Sequence, residues 1–297
     1  MNRGSTTGPA RICVTNAKGG TGKTTVAINV AGALSDRGRD VLFVDLDPQG
    51  NATEGLGLVD AYDAQPPSLF DTLTGDPEVF RDIVVAHEEM DVVPSNIDML
   101  QAEHELTIAD LIARIDAGGL DVDPSALSQF AINVTPEMVR GPHALDTLDR
   151  ALSTVSGYDY VIIDSPPFYG NLTDTGVFAA QNVLVPALAE ATSERAIELL
   201  MDQMVALERQ ADIQVEMLGV VANRIEATSE AETMLKWFKT AFPDSPVWQV
   251  RKRVALQRAY TEGNSIFATE EQCDMAGVFE DIATQLDEKF GYDKVTA

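Results

Sequence analysis

Residues 17–25 read AKGGTGKTT, and what surrounds this string constrains the fold more than the string itself. A β-prone run, Arg11–Asn16 (RICVTN), leads into the glycines. The stretch Thr24–Asp36 behind them carries Val26, Val30, Ala33 and Leu34 on one helical face. Gly38 ends that helix, and Val41–Asp45 (VLFVD) reads as a second strand. Strand, glycine-rich loop, helix and strand within about 35 residues make a βαβ unit, which implies parallel strands. A run as continuously apolar as Val41–Val44 fits a strand covered on both faces. The pattern predicts an α/β chain: a mostly parallel twisted sheet flanked by helices on both faces.

Further units extend it. Ile83–Ala86, Met90–Pro94, Tyr160–Asp164 (YVIID), Val183–Pro186 and Met217–Asn223 (MLGVVAN) read as strands. Ile97–Asp116, Ser193–Ala211, Glu230–Phe242 and Val278–Phe290 read as helices, with the capping-type pair Thr192 and Ser193 at the start of the second. Residues 1–10 are expected to be a loose tail and 11–297 one domain. Within it, 116–142 is expected to be an insertion or peripheral subdomain, because its glycines and prolines leave little period. Hydrophobic residues make up 45% of the 297, enough for a sizeable core. No run approaches the length of a membrane-spanning helix, and the first residues lack the apolar core of a signal peptide. Cys13 and Cys273 form no CxxC pair, which argues against a disulfide framework, a zinc site or a cysteine-held cluster. The expected setting is cytoplasmic.

The loop's chemistry follows from its residue types. Gly19, Gly20 and Gly22 let successive backbone N–H groups turn toward a polyphosphate. Lys23 would reach the terminal phosphates, Thr24 would place a hydroxyl on Mg2+, and the helix opening at Thr24 and Thr25 adds its positive end. Ala17 stands where the strict pattern has glycine. Lys18 is a second lysine that one nucleotide in one subunit does not need. It is either a cation offered to the γ-phosphate of a partner subunit or a solvated surface lysine. Asp45 and Asp47 leave a strand end beside the loop, at the carboxyl edge where open α/β sheets bind ligands. Asp47 projects beyond the strand and suits the orienting of an attacking water, whereas Asp45 sits nearer Mg2+. Ile162–Asp164 is an apolar strand ending in an acid, the way Mg2+ is anchored through its water shell. Pro166 and Pro167 stiffen the loop behind it. Both acidic stretches also fit plain turns at the ends of core strands.

Lys18-Gly19-Gly20-Thr21-Gly22-Lys23-Thr24-Thr25 resembles the deviant Walker A motif of the ParA/MinD family of P-loop ATPases, where the Ala17 position is not usually glycine. Asp45–Thr53 (DLDPQGNAT), with Pro48 and Gln49, resembles that family's switch I. Ile162–Pro167 (IIDSPP) resembles its Walker B motif and switch II. The resemblance implies an Mg-dependent ATP hydrolase that closes as an ATP-bound homodimer, with Lys18 crossing the interface. Lys18, Lys23 and Asp47 would then be catalytic, and Thr24, Asp45 and Asp164 would serve the metal. It also implies that Asn223 contacts adenine. A carboxamide can pair with that edge, and a capping role would suit the residue as well.

Charge bears on the partner. The chain has 21 Lys+Arg against 47 Asp+Glu, a net charge of −26, and only 7 of the basic residues are lysine. So carboxylated a surface is expected in a halophile, whose cytosol is rich in salt. Acids are nevertheless missing over the 17 residues Ser245–Thr261, which contain Arg251, Lys252, Arg253 and Arg258. DNA phosphate is the simplest electrostatic reason. The other reading is an amphipathic helix whose basic residues pair with neighbouring acids. Resemblance to the ParA branch implies non-specific DNA binding by the ATP dimer on the nucleoid, plasmid or chromosome partition, and slow hydrolysis stimulated by a ParB-like partner. A positioning ATPase for another cargo and a MinD-like regulator of the division site stand beside it. So do an ATP-binding scaffold without turnover and a metabolic P-loop enzyme. The closing stretch, DIATQLDEKFGYDKVTA, is acidic and would be repelled by an anionic leaflet, so no membrane partner is expected.

Overall fold

The computed structural model describes residues 8–118, 123, 125–136, 139 and 144–292. Along them run β1 (Ala10–Val14), α1 (Lys23–Asp36), β2 (Val41–Asp45), α2 (Asn51–Gly55), α3 (Val59–Tyr62) and α4 (Leu69–Thr74). Then come β3 (Val85–Ala86), β4 (Asp91–Val93), α5 (Ala102–Gly118), α6 (Ser125–Ser128), α7 (Thr147–Leu152), β5 (Tyr160–Asp164) and α8 (Asn171–Ala180). The last are β6 (Asn182–Leu188), α9 (Thr192–Ala211), β7 (Glu216–Ile225), α10 (Ser229–Ala241), β8 (Val247–Arg251), α11 (Val254–Thr261) and α12 (Ala276–Phe290).

The eight strands form one sheet in the order β3-β4-β2-β5-β1-β6-β7-β8. Every pairing is parallel except β3 with β4. Helices cover both faces, as the βαβ pattern requires. Cys13, Val161 and Ile163 pack beneath α4, α5, α7, α8, α9 and α10. Ile12, Val14, Tyr160 and Ile162 point the other way, toward α1, α11 and α12. Each such side chain contributes about 1.5–3 kcal/mol of burial, and a one-residue slip would turn all of them to the wrong face. This fixes the strand register, and with it which residues reach the carboxyl edge.

α12 is fastened to the sheet by Asp287, which is only 2% exposed. Arg37 lies 2.9 Å and Arg39 3.0 Å from its carboxylate, and the Tyr160 hydroxyl donates to it over 3.1 Å.

Three elements differ from the sequence pattern. The helix expected from Ile97 opens as a 3-10 turn, Ile97–Gln101, because the Asn96 side chain accepts the Asp98 N–H, and becomes α-helical at Ala102. The strand expected over Ile83–Ala86 shrinks to β3 behind another 3-10 turn, Pro77–Ile83. The stretch 251–258, read in one alternative as an amphipathic helix, begins at the end of an edge strand, β8, and becomes helical only at Val254, in α11. Gly219 in β7 makes room for β8: a Cβ there would lie 2.4 Å from the Trp248 ring.

Of the expected tail, residues 1–7 lie outside the described residues, as do 119–122, 124, 137–138 and 140–142 of the expected insertion. Residues 132–134 of that stretch are tied down by the buried Glu105 of α5, whose carboxylate accepts the backbone N–H groups of Ile132, Asn133 and Val134.

Asp174 of α8 is a local cost. Burial pushes its carboxyl up to about 6 from 3.8, the Gln203 amide opposes this, and Glu103 and Asp110 add to it. The folded state therefore holds this proton more tightly than the unfolded chain. Stability present below about pH 4 is lost as pH rises toward 6. Asp174→Asn is expected to gain about 1–3 kcal/mol at pH 7 and nothing below pH 4, read from urea midpoints at both values.

Candidate nucleotide-binding site

The sheet's register assembles the site. Asp164 at the end of β5 lies opposite Val14 of β1 on one side and Asp45 of β2 on the other. β1 runs between β5 and β6, so the loop after it opens where the chain order reverses, the usual crevice of such sheets. Gly20 and Gly22 take left-handed backbone conformations, with φ of 75° and 85°. Nothing lies within 4 Å of where a Cβ would sit on Gly19 or Gly20, which leaves an open cradle. Gly22 is the N-cap of α1, and no side chain caps the helix. Its first N–H groups therefore face outward, ready for an anion. Lys23 is the first residue of α1 and is buried.

Two buried carboxylates, Asp47 and Asp164, lie against that lysine, and a third, Asp45, adjoins both of them. Burial pushes Asp45 up to about 7 against the hydrogen bonds from Thr53. Burial also raises Asp47 and, well above the usual range, Asp164, although Lys23 pulls both back. The Lys23 ammonium is itself lowered by burial, and Asp164 and Asp47 restore part of its charge. The site is thus short of positive charge. Thr24 donates its hydroxyl to Asp164 Oδ2 over 2.7 Å, while Oδ1 of the same carboxylate is buried without a partner. A hydroxyl and an unsatisfied carboxylate oxygen beside the phosphate cradle suit Mg2+, which takes hard oxygens and completes its shell with water and phosphate. Accordingly, the described residues contain no group of three or more His, Cys, Asp or Glu side chains that could hold a metal alone.

At Asp45, the expected metal residue, protein donors engage the carboxylate. Its Oδ2 accepts both the N–H and the hydroxyl of Thr53, each at 2.7 Å, and its Oδ1 accepts the Asp47 N–H. Both oxygens are occupied in holding the segment 47–53. Asp47 accepts the Gln49 N–H at 3.0 Å, and the Pro48 carbonyl accepts the Tyr62 hydroxyl at 2.7 Å. Ser165, ahead of Pro166 and Pro167, donates its hydroxyl to the Val14 carbonyl and so joins the second loop to the root of the first.

Asn223, the residue expected at adenine, lies against the phosphate loop. Its Nδ2 donates to the Thr21 carbonyl at 2.9 Å and its Oδ1 accepts the Arg224 N–H. Its amide nitrogen would be 2.0 Å from a Cβ on Gly22. It braces the phosphate loop from β7. Lys18 is not solvated on its own: its ammonium meets Glu190 at 3.1 Å and the Thr192 hydroxyl at 2.6 Å. Asn16, which the sequence reading passes over, orders the loop's start. It accepts the Lys18 N–H and donates to the Pro186 carbonyl.

The acid-free window forms one wall of a cavity of about 260 Å³ beside the loop, lined by Thr25, Asn223, Arg251, Lys252, Arg253 and Tyr260, among others. Its basic residues have acid partners from outside the window. Arg251 and Arg253 both pair with Asp274, at 3.0 and 2.7 Å, and Arg258 pairs with Glu271 at 2.9 Å. Lys252 makes no ion pair among the described residues.

What this edge can bind is narrowly set. A bare helix start beside a lysine suits phosphate, and the Thr24–Asp164 pair suits the cation that accompanies a triphosphate. On a parallel sheet with this order, that is the design of the P-loop NTPases. A family model described as an AAA domain matches residues 10–114 and 107–217. The chain belongs to the ParA/MinD family of P-loop NTPases. It is 31% identical over 280 residues to the sporulation initiation inhibitor protein Soj of Bacillus subtilis, covering 93% of this chain and 97% of that one. It is 30% identical over 258 residues to the chromosome-partitioning ATPase Soj of Thermus thermophilus, covering 86% of each. Among solved structures, the ATP complex of a single-substitution variant of Cyanothece McdA matches with a TM-score of 0.74 at 21% identity, over 97% of this chain and 99% of that one, a likeness of fold. No helix among the described residues is long and apolar enough to cross a membrane.

Proposed function

We propose that this chain is an ATP-dependent dimerising ATPase that holds DNA non-specifically and serves plasmid or chromosome partition, its slow hydrolysis stimulated by a ParB-like partner. One observation carries the reading: the segment that offers Arg251, Lys252 and Arg253 also walls the cavity next to the phosphate loop. Nucleotide and basic face are thereby neighbours, so occupancy of one can bias the other. The acid partners of the arginines do not count heavily against it, since exposed ion pairs contribute little and exchange readily. The name of the Thermus relative points to the same role.

In this mechanism the backbone from Gly19 to Thr25 cradles the triphosphate and Lys23 reaches its terminal oxygens. Thr24 and Asp164 would hold Mg2+, which would supply positive charge against the phosphates. Two chains close face to face, and each Lys18 leaves Glu190 and Thr192 for its partner's γ-phosphate. Asp47 orients a water for in-line attack. Among the described residues no histidine stands beside it, and Asp45 is occupied by hydrogen bonds from Thr53 and Asp47, so turnover is slow. Release of the 47–53 segment after hydrolysis opens the dimer, and the two-handed grip on DNA is lost. The excess of acid elsewhere fits a salt-rich cytosol, with the protein on the nucleoid.

The test is retention of DNA on a surface with ATP or ADP, wild type beside Lys18→Ala and Lys252→Ala. Wild type should hold DNA only with ATP and Mg2+. Lys18→Ala should still bind ATP yet neither dimerise nor retain DNA, and Lys252→Ala should dimerise and retain less. Undiminished ATP-dependent retention by Lys18→Ala would sink the scheme.

A further inference from the structure

The segment that carries Asp47 is held from outside by three hydroxyl groups. Ser95 Oγ donates to the Asp47 carbonyl at 2.7 Å, Tyr62 to the Pro48 carbonyl at 2.7 Å, and Tyr260 to the Asn51 carbonyl at 2.8 Å. Both tyrosine rings also lie where a side chain would otherwise be. A Cβ on Gly50 would be 2.5 Å from the Tyr62 ring, and one on Gly55 would be 2.3 Å from the Tyr260 ring. Ser95 and Tyr62 come from the same half of the chain as the segment they hold. Tyr260 comes from α11, 209 residues further on.

A second contact fixes the same pair of elements. Just past α11, Gly263 takes φ of 83°, and a Cβ there would sit 3.1 Å from Gly57 Cα and 3.2 Å from its nitrogen. The backbone after α11 therefore lies directly on the backbone after α2, with no side chain between them to absorb a shift. Tyr260 also lines the cavity walled by Arg251, Lys252 and Arg253.

We infer that Tyr260 is a positioning residue for switch I, coupling the basic α11 segment to the loop that carries Asp47. The inference deepens the ATPase reading above, since it concerns how the water-orienting segment is placed. A ligand pressed against α11, or a nucleotide filling the cavity, moves the Tyr260 ring, and the ring moves the Asn51 carbonyl at the start of α2. Asp47 and α2 are one short turn apart, with the Gly50 N–H donating to the Asp47 carbonyl at 2.9 Å. Burial pushes the Tyr260 phenol up to about 12, so it stays a hydrogen-bond donor across the working pH range. The coupling is mechanical, and by linkage it acts in both directions.

Tyr260→Phe tests it, because the ring over Gly55 stays and only the hydrogen bond is lost. Two measurements are made on the full chain: backbone hydrogen exchange with ATP·Mg bound, and steady-state phosphate release. Exchange over residues 46–58 should quicken about tenfold while exchange in α1 is unchanged, and kcat should fall about 5- to 10-fold with KM little altered, within the usual range of site-to-site coupling. Ser95→Ala should give the same kcat-only loss. Identical exchange over 46–58 in Tyr260→Phe and wild type would overturn the inference, whatever the phosphate assay gives. A wild type that releases no phosphate would instead overturn the ATPase reading, and the exchange comparison would still decide the role of Tyr260.

Discussion

Lys23→Ala is expected to lower affinity for ATP·Mg by about 100-fold or more, and to make the nucleotide-free protein lose stability relative to wild type as pH rises. The first effect follows from removing the cation buried between the phosphate loop and the acids. Charge-assisted bonds to phosphate are about twice as strong as neutral ones. The second follows from the carboxylates. Lys23 holds Asp47 and Asp164 below where burial alone would put them. Without it their folded values rise further above the unfolded ones. The protein then retains protons that the unfolded chain releases, and stability is lost from about pH 4 upward as each acid ionises without a counter-charge. At low pH the sign reverses, since a buried ammonium facing neutral acids is pure desolvation cost. Calorimetric titration with ATP·Mg and urea unfolding at pH 5 and pH 8 read the two effects. Affinity within a few-fold of wild type would mean that phosphate does not lie on this loop.

Asp287→Ala is expected to cost about 3–5 kcal/mol, the range for breaking a buried ion pair from one side. The carboxylate is almost wholly enclosed and answers Arg37, Arg39 and the Tyr160 hydroxyl together, so its removal takes a charged partner from all three between α12, α1 and β5. The reason for its placement is topological. α12 is the last helix on its face of the sheet, and Asp287 joins it to the end of α1 opposite the phosphate loop. Nucleotide affinity of the folded fraction should therefore be preserved. A urea midpoint unchanged from wild type would show that α12 docks through its apolar stripe alone.

Much of this was legible from local pattern. Val41–Asp45 and Tyr160–Asp164 match their strands residue for residue, because a strand covered on both faces is written as an unbroken apolar run between turn residues. β8 was not legible in the same way, although Val247, Trp248, Gln249, Val250 and Arg251 do alternate. Four basic residues close by make charge a stronger local signal there than period. Within the site, Lys23, Thr24 and Asp164 could be read because phosphate chemistry demands those residue types at fixed spacing. Asn16, Glu190, Ser95 and Tyr260 could not, since each acts through a hydrogen bond to a distant part of the chain. Asn223 shows the boundary. Its place at a strand end beside the loop was visible, but the Thr21 carbonyl that claims its amide is 202 residues away. Asp274 and Glu271 likewise fall outside the window whose charge was being counted.

Those two acids have a consequence for any polyanion laid on this face. Protein cations that settle on DNA ordinarily set free the counter-ions condensed there, and affinity falls with salt by about 0.9 logarithmic units per phosphate neutralised. Here DNA must first displace Asp274 from Arg251 and Arg253, and Glu271 from Arg258. Each carboxylate so released gathers a cation from solution, offsetting the one that the phosphate sheds. Three arginines give up two carboxylates, so part of the usual ion release is offset, while Lys252, which has no ion pair among the described residues, would act as an ordinary charge. Over a potassium chloride series the affinity of such a face would start lower and fall on a shallower slope than that of an unpaired patch with the same four cations.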